Sequence, residues 1–318
     1  MHETLFIVIP CYNEEEVIHE TAKQLNDKIA AMLEQGLVNE KSRVLFVNDG
    51  STDKTWEIIR QLHKDNNLFS GLSLSSNKGQ QNATYAGLMA AKKYADVVIT
   101  MDADLQDNID TVDKMLGEYE KGYEIVYGVR SSRKNDPLIR RAAAESFYRV
   151  IRLIGVNVVF NHSAYRLLSR RAVEALEDYP EVNLFLPGIV PLLGFKNTIV
   201  AFEKKERFAG TSKYSIPKLF SLAIEAITSF SLKPLRLISL AGIFFMLIGA
   251  AIVVYSIAIA VSGSFDEWLL VLSSVLAVSG TVLLSVGIVG EYIGKTYMET
   301  KRRPRYHIAE TLLDNEDL

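Results

Sequence analysis

Two long stretches without a charged residue constrain this chain more than any other feature. They cover residues 237–261 and 268–289. Each is longer than the roughly 20 residues that a helix needs to cross a bilayer core of about 30 Å. The segment between them, SGSFDE, is so short that two such helices would form a hairpin. We therefore predict two transmembrane helices within residues 233–294. A pair of buried core helices in a soluble protein is the alternative.

The charges around this predicted hairpin indicate its orientation. Lys233 and Arg236 precede the first stretch, and the connecting loop carries only Asp266 and Glu267. The basic residues that follow the second stretch are Lys295, Lys301, Arg302, Arg303 and Arg305. Because basic flanks remain on the cytoplasmic side, we expect both termini and everything before residue 233 to be cytoplasmic.

Composition excludes two broad classes of protein. The formal net charge of −3 does not fit a nucleic-acid binder. The single cysteine, Cys11, rules out an internal disulfide. Hydrophobic residues make up 48% of the chain, which is enough for a sizeable core in addition to the hairpin.

Apolar strands alternate with helices from residue 4 to about residue 128. The predicted strands are TLFIVIP, RVLFVND, FSGLSLS, DVVIT and EIVYGVR, and the predicted helices are residues 14–32, 55–65, 80–93 and 110–121. Continuous apolar strands of this kind predict a mostly parallel α/β sheet that is covered on both faces. From 139 to 226 we predict helical patches and one strand near residues 197–202.

Each of the first four strands is followed by a polar cluster. The clusters are PCYNEEE, NDGSTD, SNKGQQ and DADLQD. Ligands of such sheets bind beyond the carboxyl ends of the strands, so the four clusters predict one shared site.

The cluster DADLQD has the ligands that a hard cation prefers. Asp102 and Asp104, with Gln106 nearby, suit Mg²⁺ or Mn²⁺, and such an ion would neutralise a leaving diphosphate. The alternative is that Asp104 or Asp107 only caps the start of the next helix.

The first two clusters suggest contacts to a nucleoside. Asp49 can accept hydrogen bonds from a base or a ribose, and the ring of Tyr12 can pack on a base. The alternatives are a turn with a helix cap at Asp53, and Glu14 as the start of a helix.

The motifs VIPCYNEEE, VNDGSTDKT, NKGQQNATYAG and DADLQD, in this order, resemble the family 2 glycosyltransferases of the GT-A fold. The later motifs NLFLPGIVPLLGF, RFAGTSKYS and GEYIGKTYMETKRRPRY resemble the polyisoprenyl-phosphate glycosyltransferases, the bacterial group that loads sugars onto undecaprenyl phosphate. Dolichol-phosphate mannose synthases are more distant relatives. The resemblance implies a cytoplasmic, Rossmann-like GT-A domain over residues 1–216, an amphipathic helix at the membrane surface over 217–232, the hairpin over 233–294 and a basic tail over 295–318.

The resemblance also implies roles for individual residues. Asp102, Asp104 and Gln106 would hold the metal. The donor would be bound by Pro10, Tyr12, Glu14, Asp49, Gly79, Asp102, Ala103, Asp104 and Arg130. The catalytic positions would be Arg141, Ala164, Arg207 and Lys213.

Two residues depart from the pattern. Bacterial relatives usually carry an acid, a proposed catalytic base, where this chain has Ala164, although the mannose synthases have Gly there. Pro187 stands where many relatives have Arg. If the missing acid acts on the acceptor, this chain turns over slowly.

The resemblance implies inverting transfer of a sugar from a UDP-sugar to undecaprenyl phosphate on the cytoplasmic face of the bacterial plasma membrane, for cell-envelope glycosylation. UDP-glucose is the first choice of donor and UDP-N-acetylglucosamine the second. Relatives suggest a homo-oligomer such as a tetramer. One alternative is a processive polysaccharide synthase, which would need further spans. The other is a catalytically silent membrane partner that binds a nucleotide sugar.

Overall fold

The computed structural model describes residues 3–131, 162–182, 184–204 and 267–313, with scattered helical positions between 235 and 251. The strands are β1 (Leu5–Cys11), β2 (Arg43–Asn48), β3 (Phe69–Leu74), β4 (Val97–Thr100), β5 (Ile125–Arg130), β6 (His162–Ser169), β7 (Asn197–Phe202) and β8 (Ile308–Leu312). The helices are α1 (Ile18–Glu34), α2 (Thr55–Asp65), α3 (Gln80–Ala91), α4 (Thr111–Glu120), α5 (Arg170–Glu177), α6 (Leu186–Leu192) and α7 (Glu267–Lys301).

Within these residues the strands form one mixed sheet in the order β7-β5-β6-β4-β1-β2-β3-β8. The strands β1 to β4 are parallel neighbours, and β5 pairs in parallel with β7. β6 runs antiparallel between β4 and β5, and β8 runs antiparallel to β3. The carboxyl ends of β1 to β4 therefore lie along one edge of the sheet, which we call the catalytic edge.

Both faces of the sheet are covered, as continuous apolar strands require. Successive residues of β1 alternate between two cores: Ile7 packs with α1, α2 and α4, whereas Val8 packs on the other side with α3, α5 and α6. All residues of β2 and β3 are buried. The protein therefore has three layers, with the sheet in the middle.

The predicted mostly parallel α/β sheet is confirmed, but the sequence analysis missed two strands. β6 lies where we predicted helical patches. The prediction was wrong because the sequence HSAYRLLS has too little alternation of polar and apolar residues to indicate a strand. β8 lies in the basic tail. Its residues are largely exposed, so no apolar pattern marks it, and it exists because β3 offers an unpaired edge.

The predicted hairpin is only partly covered by the described residues. Most of the first uncharged stretch lies outside them, and the second stretch lies within α7. Among the helices as far as they are described, none combines the length and the apolar character that a membrane crossing requires.

Candidate active site

The loop that follows β4, residues 101–108, forms the centre of the catalytic edge. Asp107 is fully buried, and its carboxylate accepts hydrogen bonds from the backbone N–H of Asp102 at 3.3 Å and from the hydroxyl of Ser163 at 3.2 Å. Asp104 accepts from the backbone N–H of Gln106 at 3.1 Å. Both acids therefore shape the loop itself. Neither caps α4, whose N-cap residue is Asp110.

The pKa of Asp107 is shifted by its surroundings. Burial raises the pKa of Asp107 to about 6, and the charge of Asp104 adds to this rise. The N–H of Asp102 and the charge of Arg130 oppose it. An additional positive charge at the loop would favour the ionised form of these carboxyl groups.

The backbone of the loop is strained at one position. Leu105 has a φ of 58°, in the left-handed region, which costs a residue with a side chain about 1–2 kcal/mol. The neighbouring carbonyl of Ala103 accepts a hydrogen bond from the hydroxyl of Thr21 at 2.7 Å, and this bond anchors the loop to α1. The surrounding contacts therefore hold a conformation that the loop alone would avoid.

The loop between β3 and α3 lies between two acids of the site. Both carboxylate oxygens of Asp49 accept backbone N–H groups, from Lys78 at 2.7 Å and from Gly79 at 2.9 Å. Gln80 donates to Asp102 at 2.6 Å. Burial raises the pKa of Asp49, although these two N–H groups oppose the rise. The loop after β2 and the loop after β4 are therefore linked through the start of α3.

The loops after β1 and β2 are joined by hydrogen bonds. Asn13, with a φ of 51°, accepts from the backbone N–H of Thr52 at 2.9 Å. The N–H of Glu14 donates to Thr55 at 2.9 Å, and the carbonyl of Glu14 accepts the first N–H groups leading into α1. Gly50 has a φ of 65°, and a Cβ there would lie 2.6 Å from the backbone of the loop after β3. Only glycine allows this close approach.

The strands β5 and β6 add polar groups on the other side of the loop after β4. Arg166 is only 4% exposed, and its Nε and Nη1 have no hydrogen-bond partner among the described residues. Burial lowers the pKa of Arg166 to about 10 and raises that of Tyr127 to about 12. The Nε of Arg130 is likewise buried without a partner. Ala164 is half-buried, and its carbonyl accepts from the hydroxyl of Thr100.

With this geometry in hand, comparison with known proteins gives the family. Residues 6–177 match the model of glycosyl transferase family 2. The chain belongs to this family. It is 44% identical to the glycosyltransferase YkoT of Bacillus subtilis over 313 residues, which are 98% of this chain and 93% of the relative.

Two other relatives of this glycosyltransferase have more specific names. The bactoprenol glucosyl transferase of Shigella phage SfX is 36% identical over 310 residues, covering 95% of this chain and 97% of the relative. The prophage bactoprenol glucosyl transferase homolog of Escherichia coli matches with the same identity and coverage.

Solved structures are more distant. Glucosyl-3-phosphoglycerate synthase from Mycobacterium tuberculosis, in complex with Mn²⁺, UDP and product, is 18% identical over 71% of this chain and 78% of that chain, with a TM-score of 0.46. A likeness at this level carries no conclusion about the ligands of the glycosyltransferase.

The structure places most of the predicted donor residues of this glycosyltransferase along the catalytic edge. Pro10 and Tyr12 lie at the end of β1, and the other donor residues lie in the loops after β1, β2, β3 and β4 or, for Arg130, at the end of β5. Pro187 lies in the first turn of α6. The predicted positions Arg141, Arg207 and Lys213 and the helix at 217–232 lie outside the described residues.

The sequence analysis did not predict the roles that three residues have at this edge, and its alternative for Asp107, a helix cap, is wrong. Gln80 positions Asp102, Asp107 organises the loop after β4, and Arg166 adds a buried cation. Gln80 and Asp107 belong to the polar clusters SNKGQQ and DADLQD, and Arg166 is a charge inside the apolar run AYRLL.

The residues present fit part of a metal site. Asp102 and Asp104 provide the hard carboxylate oxygens that Mg²⁺ and Mn²⁺ prefer. Within the described ranges, no group of three or more Asp, Glu, His or Cys side chains could hold a metal ion. The two acids therefore suit an ion that takes further ligands from the phosphates of a substrate.

Proposed function

We propose that this glycosyltransferase transfers a glucosyl group from UDP-glucose to undecaprenyl phosphate on the cytoplasmic face of a bacterial plasma membrane. The observation that carries the proposal is the 36% identity to bactoprenol glucosyl transferases along nearly the whole chain. The uncharged stretches 237–261 and 268–289 and their basic flanks support the membrane location and its orientation.

The catalytic edge offers a donor site suited to a nucleoside diphosphate sugar. Asp49 and Tyr12 would contact the nucleoside beyond β2 and β1, and the diphosphate would lie at the loop after β4. A divalent cation bound by Asp102 and Asp104, with Gln106, would neutralise the charge that develops on the leaving diphosphate. Gln80 holds Asp102 in place for this contact.

The acceptor chemistry needs little help from a base. An oxygen of the acceptor phosphate forms a bond to the anomeric carbon of the sugar. At the same time the bond from that carbon to the diphosphate breaks, and UDP leaves with the electron pair. A phosphate monoester has a second pKa of about 6 and is largely ionised near pH 7. Ala164, which has no ionisable group, is compatible with this reaction.

The test is turnover by the purified full-length protein in detergent, with undecaprenyl phosphate and labelled UDP-glucose or UDP-N-acetylglucosamine. We expect labelled lipid only in the presence of Mg²⁺ or Mn²⁺, and faster with UDP-glucose. The variant Asp104→Asn serves as the control, because it should remove most donor binding without unfolding the protein.

Other results would contradict the proposal in different ways. Turnover with UDP-N-acetylglucosamine alone would change the donor. UDP binding without turnover of any donor would identify a catalytically silent partner. Unchanged UDP binding by Asp104→Asn would show that Asp104 only shapes its loop.

A further inference from the structure

Three polar side chains lie next to one another on β4, β6 and β5. In the register of the sheet, Arg166 pairs with Thr100 on one side and with Tyr127 on the other. Directly paired residues of neighbouring strands have their side chains on the same face of a sheet. Thr100 is the last residue of β4, so this row lies at the catalytic edge.

Within the described part of the chain, three polar atoms of this row have no hydrogen-bond partner. The Nε and Nη1 of Arg166 and the hydroxyl of Tyr127 are buried without a hydrogen-bond partner. The charge of Asp102 acts favourably on Arg166. Ala164 lies two residues before Arg166, where the pairing of β6 with β5 is irregular, and its side chain is only a methyl group. Buried donors of this kind are costly to leave unmatched.

We propose that Arg166 binds the phosphate group of the acceptor, with the hydroxyl of Tyr127 as a second donor. This inference rests on the proposed function, because it takes the acceptor to be a phosphate monoester. A guanidinium presents several N–H groups in a planar fork that matches the oxygens of a phosphate. A phosphate would give partners to the Nε and Nη1 of Arg166, which have none among the described residues.

The strand order places Arg166 away from the nucleoside side of the site. Asp49 follows β2, the acidic loop follows β4, and β6 lies beyond β4 on the side away from β2. Neighbouring strands are about 4.8 Å apart, so the nucleoside side and Arg166 are separated by about three strand spacings. Arg166 therefore lies on the side of the site where the two phosphate-bearing substrates meet, and separate binding measurements with undecaprenyl phosphate and with UDP distinguish them.

The test compares Arg166→Met and Arg166→Lys with the parent protein. Removing a buried charge that lacks a partner should leave the melting temperature of the substrate-free Met variant unchanged or higher. The affinity of this variant for undecaprenyl phosphate, measured by calorimetry in detergent, should fall roughly 10- to 150-fold, and its acceptor KM should rise in parallel. Binding of UDP should change less than about threefold. Arg166→Lys should recover part of the affinity, because it restores the charge without the fork.

Arg170 provides a matched control. Arg170 directly follows β6, at the opposite edge of the sheet. Its guanidinium pairs with the carboxylate of Asp96 at 3.1 Å and donates to the carbonyl of Ala95 at 2.6 Å. Arg170→Met should therefore lower the melting temperature and leave the affinity for the lipid phosphate unchanged.

Several results would overturn the inference. One is an Arg166→Met variant that is unfolded or much less stable, since that would give Arg166 a structural role. Another is unchanged affinity for undecaprenyl phosphate, and a third is a loss confined to UDP binding. Because lipid binding is measured without turnover, a parent protein that binds the lipid through Arg166 but transfers no sugar would support the inference while the proposed function fails.

Discussion

At the scale of single residues, positions 164 and 166 are the most informative part of the site. Both residues lie on β6 and contact the end of β4, since Arg166 pairs with Thr100 and the carbonyl of Ala164 accepts from the hydroxyl of Thr100. Arg166 is buried, and its Nε and Nη1 have no partner among the described residues, while the side chain of Ala164 has no polar atom. An acid at position 164 would therefore have two separate effects, one on the chemistry of the acceptor and one on the charge of Arg166.

The variant Ala164→Asp distinguishes these effects through two kinetic parameters. If the new carboxylate orients or deprotonates the acceptor, kcat should rise by about 10²–10⁴-fold, the usual contribution of a positioned acid–base group. Because the carboxylate would also pair with Arg166, it should compete with the acceptor phosphate and raise the acceptor KM. Steady-state kinetics with varied undecaprenyl phosphate measures both parameters. An unchanged kcat would contradict the hypothesis that the missing acid at position 164 slows turnover. An unchanged acceptor KM would contradict pairing of the new carboxylate with Arg166.

At the scale of elements, the segment after α7 is attached to the catalytic domain by specific contacts. Arg305 donates to the carbonyl of Glu181 at 2.8 Å and to the carbonyl of Tyr179, and its guanidinium lies 4.3 Å from the ring centroid of Tyr85 on α3. Glu299 accepts from the backbone N–H of Val182 at 2.7 Å. These contacts tie the end of α7 to the connection between α5 and α6 and to α3.

Replacing Arg305 should loosen this attachment. Arg305→Ala removes two charge-assisted hydrogen bonds and a cation–π contact, so we expect a loss of about 1–3 kcal/mol of stability. For a protein of this size, the loss corresponds to a fall in melting temperature of about 2–10 °C. Thermal unfolding in detergent measures this fall. The control is Arg303→Ala, because Arg303 is exposed and should be neutral. Equal melting temperatures for the two variants would show that the contacts of Arg305 add no stability.

At the scale of the whole molecule, the membrane orientation decides from which side the donor reaches the enzyme. The proposed orientation places the catalytic domain in the cytoplasm, and only the short loop between the uncharged stretches outside. Cys11, the single cysteine, is 1% exposed, so the natural protein should give little background in a labelling experiment.

Labelling of introduced cysteines tests this orientation. In intact cells, Ser264→Cys should react with a membrane-impermeant maleimide, whereas Glu310→Cys should react only after the cells are opened. Glu310 is exposed on β8, so the protein itself does not shield it. The unsubstituted protein is the control for Cys11. The reverse labelling pattern would contradict a cytoplasmic catalytic domain.

The sequence by itself determined much of the fold. The helix over residues 55–65 was predicted with the bounds of α2, and the strands β1 to β5 were all predicted, because buried parallel strands are continuous apolar runs. The polar clusters were predicted to share one edge, and the loops after β1 to β4 do lie there. Local patterns of this kind depend on residues that are close in the chain.

Only the tertiary structure decided the remaining features. β6 and β8 form because distant strands offer them partners, which no local pattern records. Hydrogen bonds join residues that are far apart in the sequence. Asp49 accepts from the backbone at Lys78 and Gly79, and the next residue, Gln80, donates to Asp102. The sequence placed an arginine within an apolar run. Only the fold shows that this arginine is buried and that its Nε and Nη1 have no partner among the described residues. Burial and hydrogen bonding depend on the neighbours that β4 and β5 supply on either side of β6.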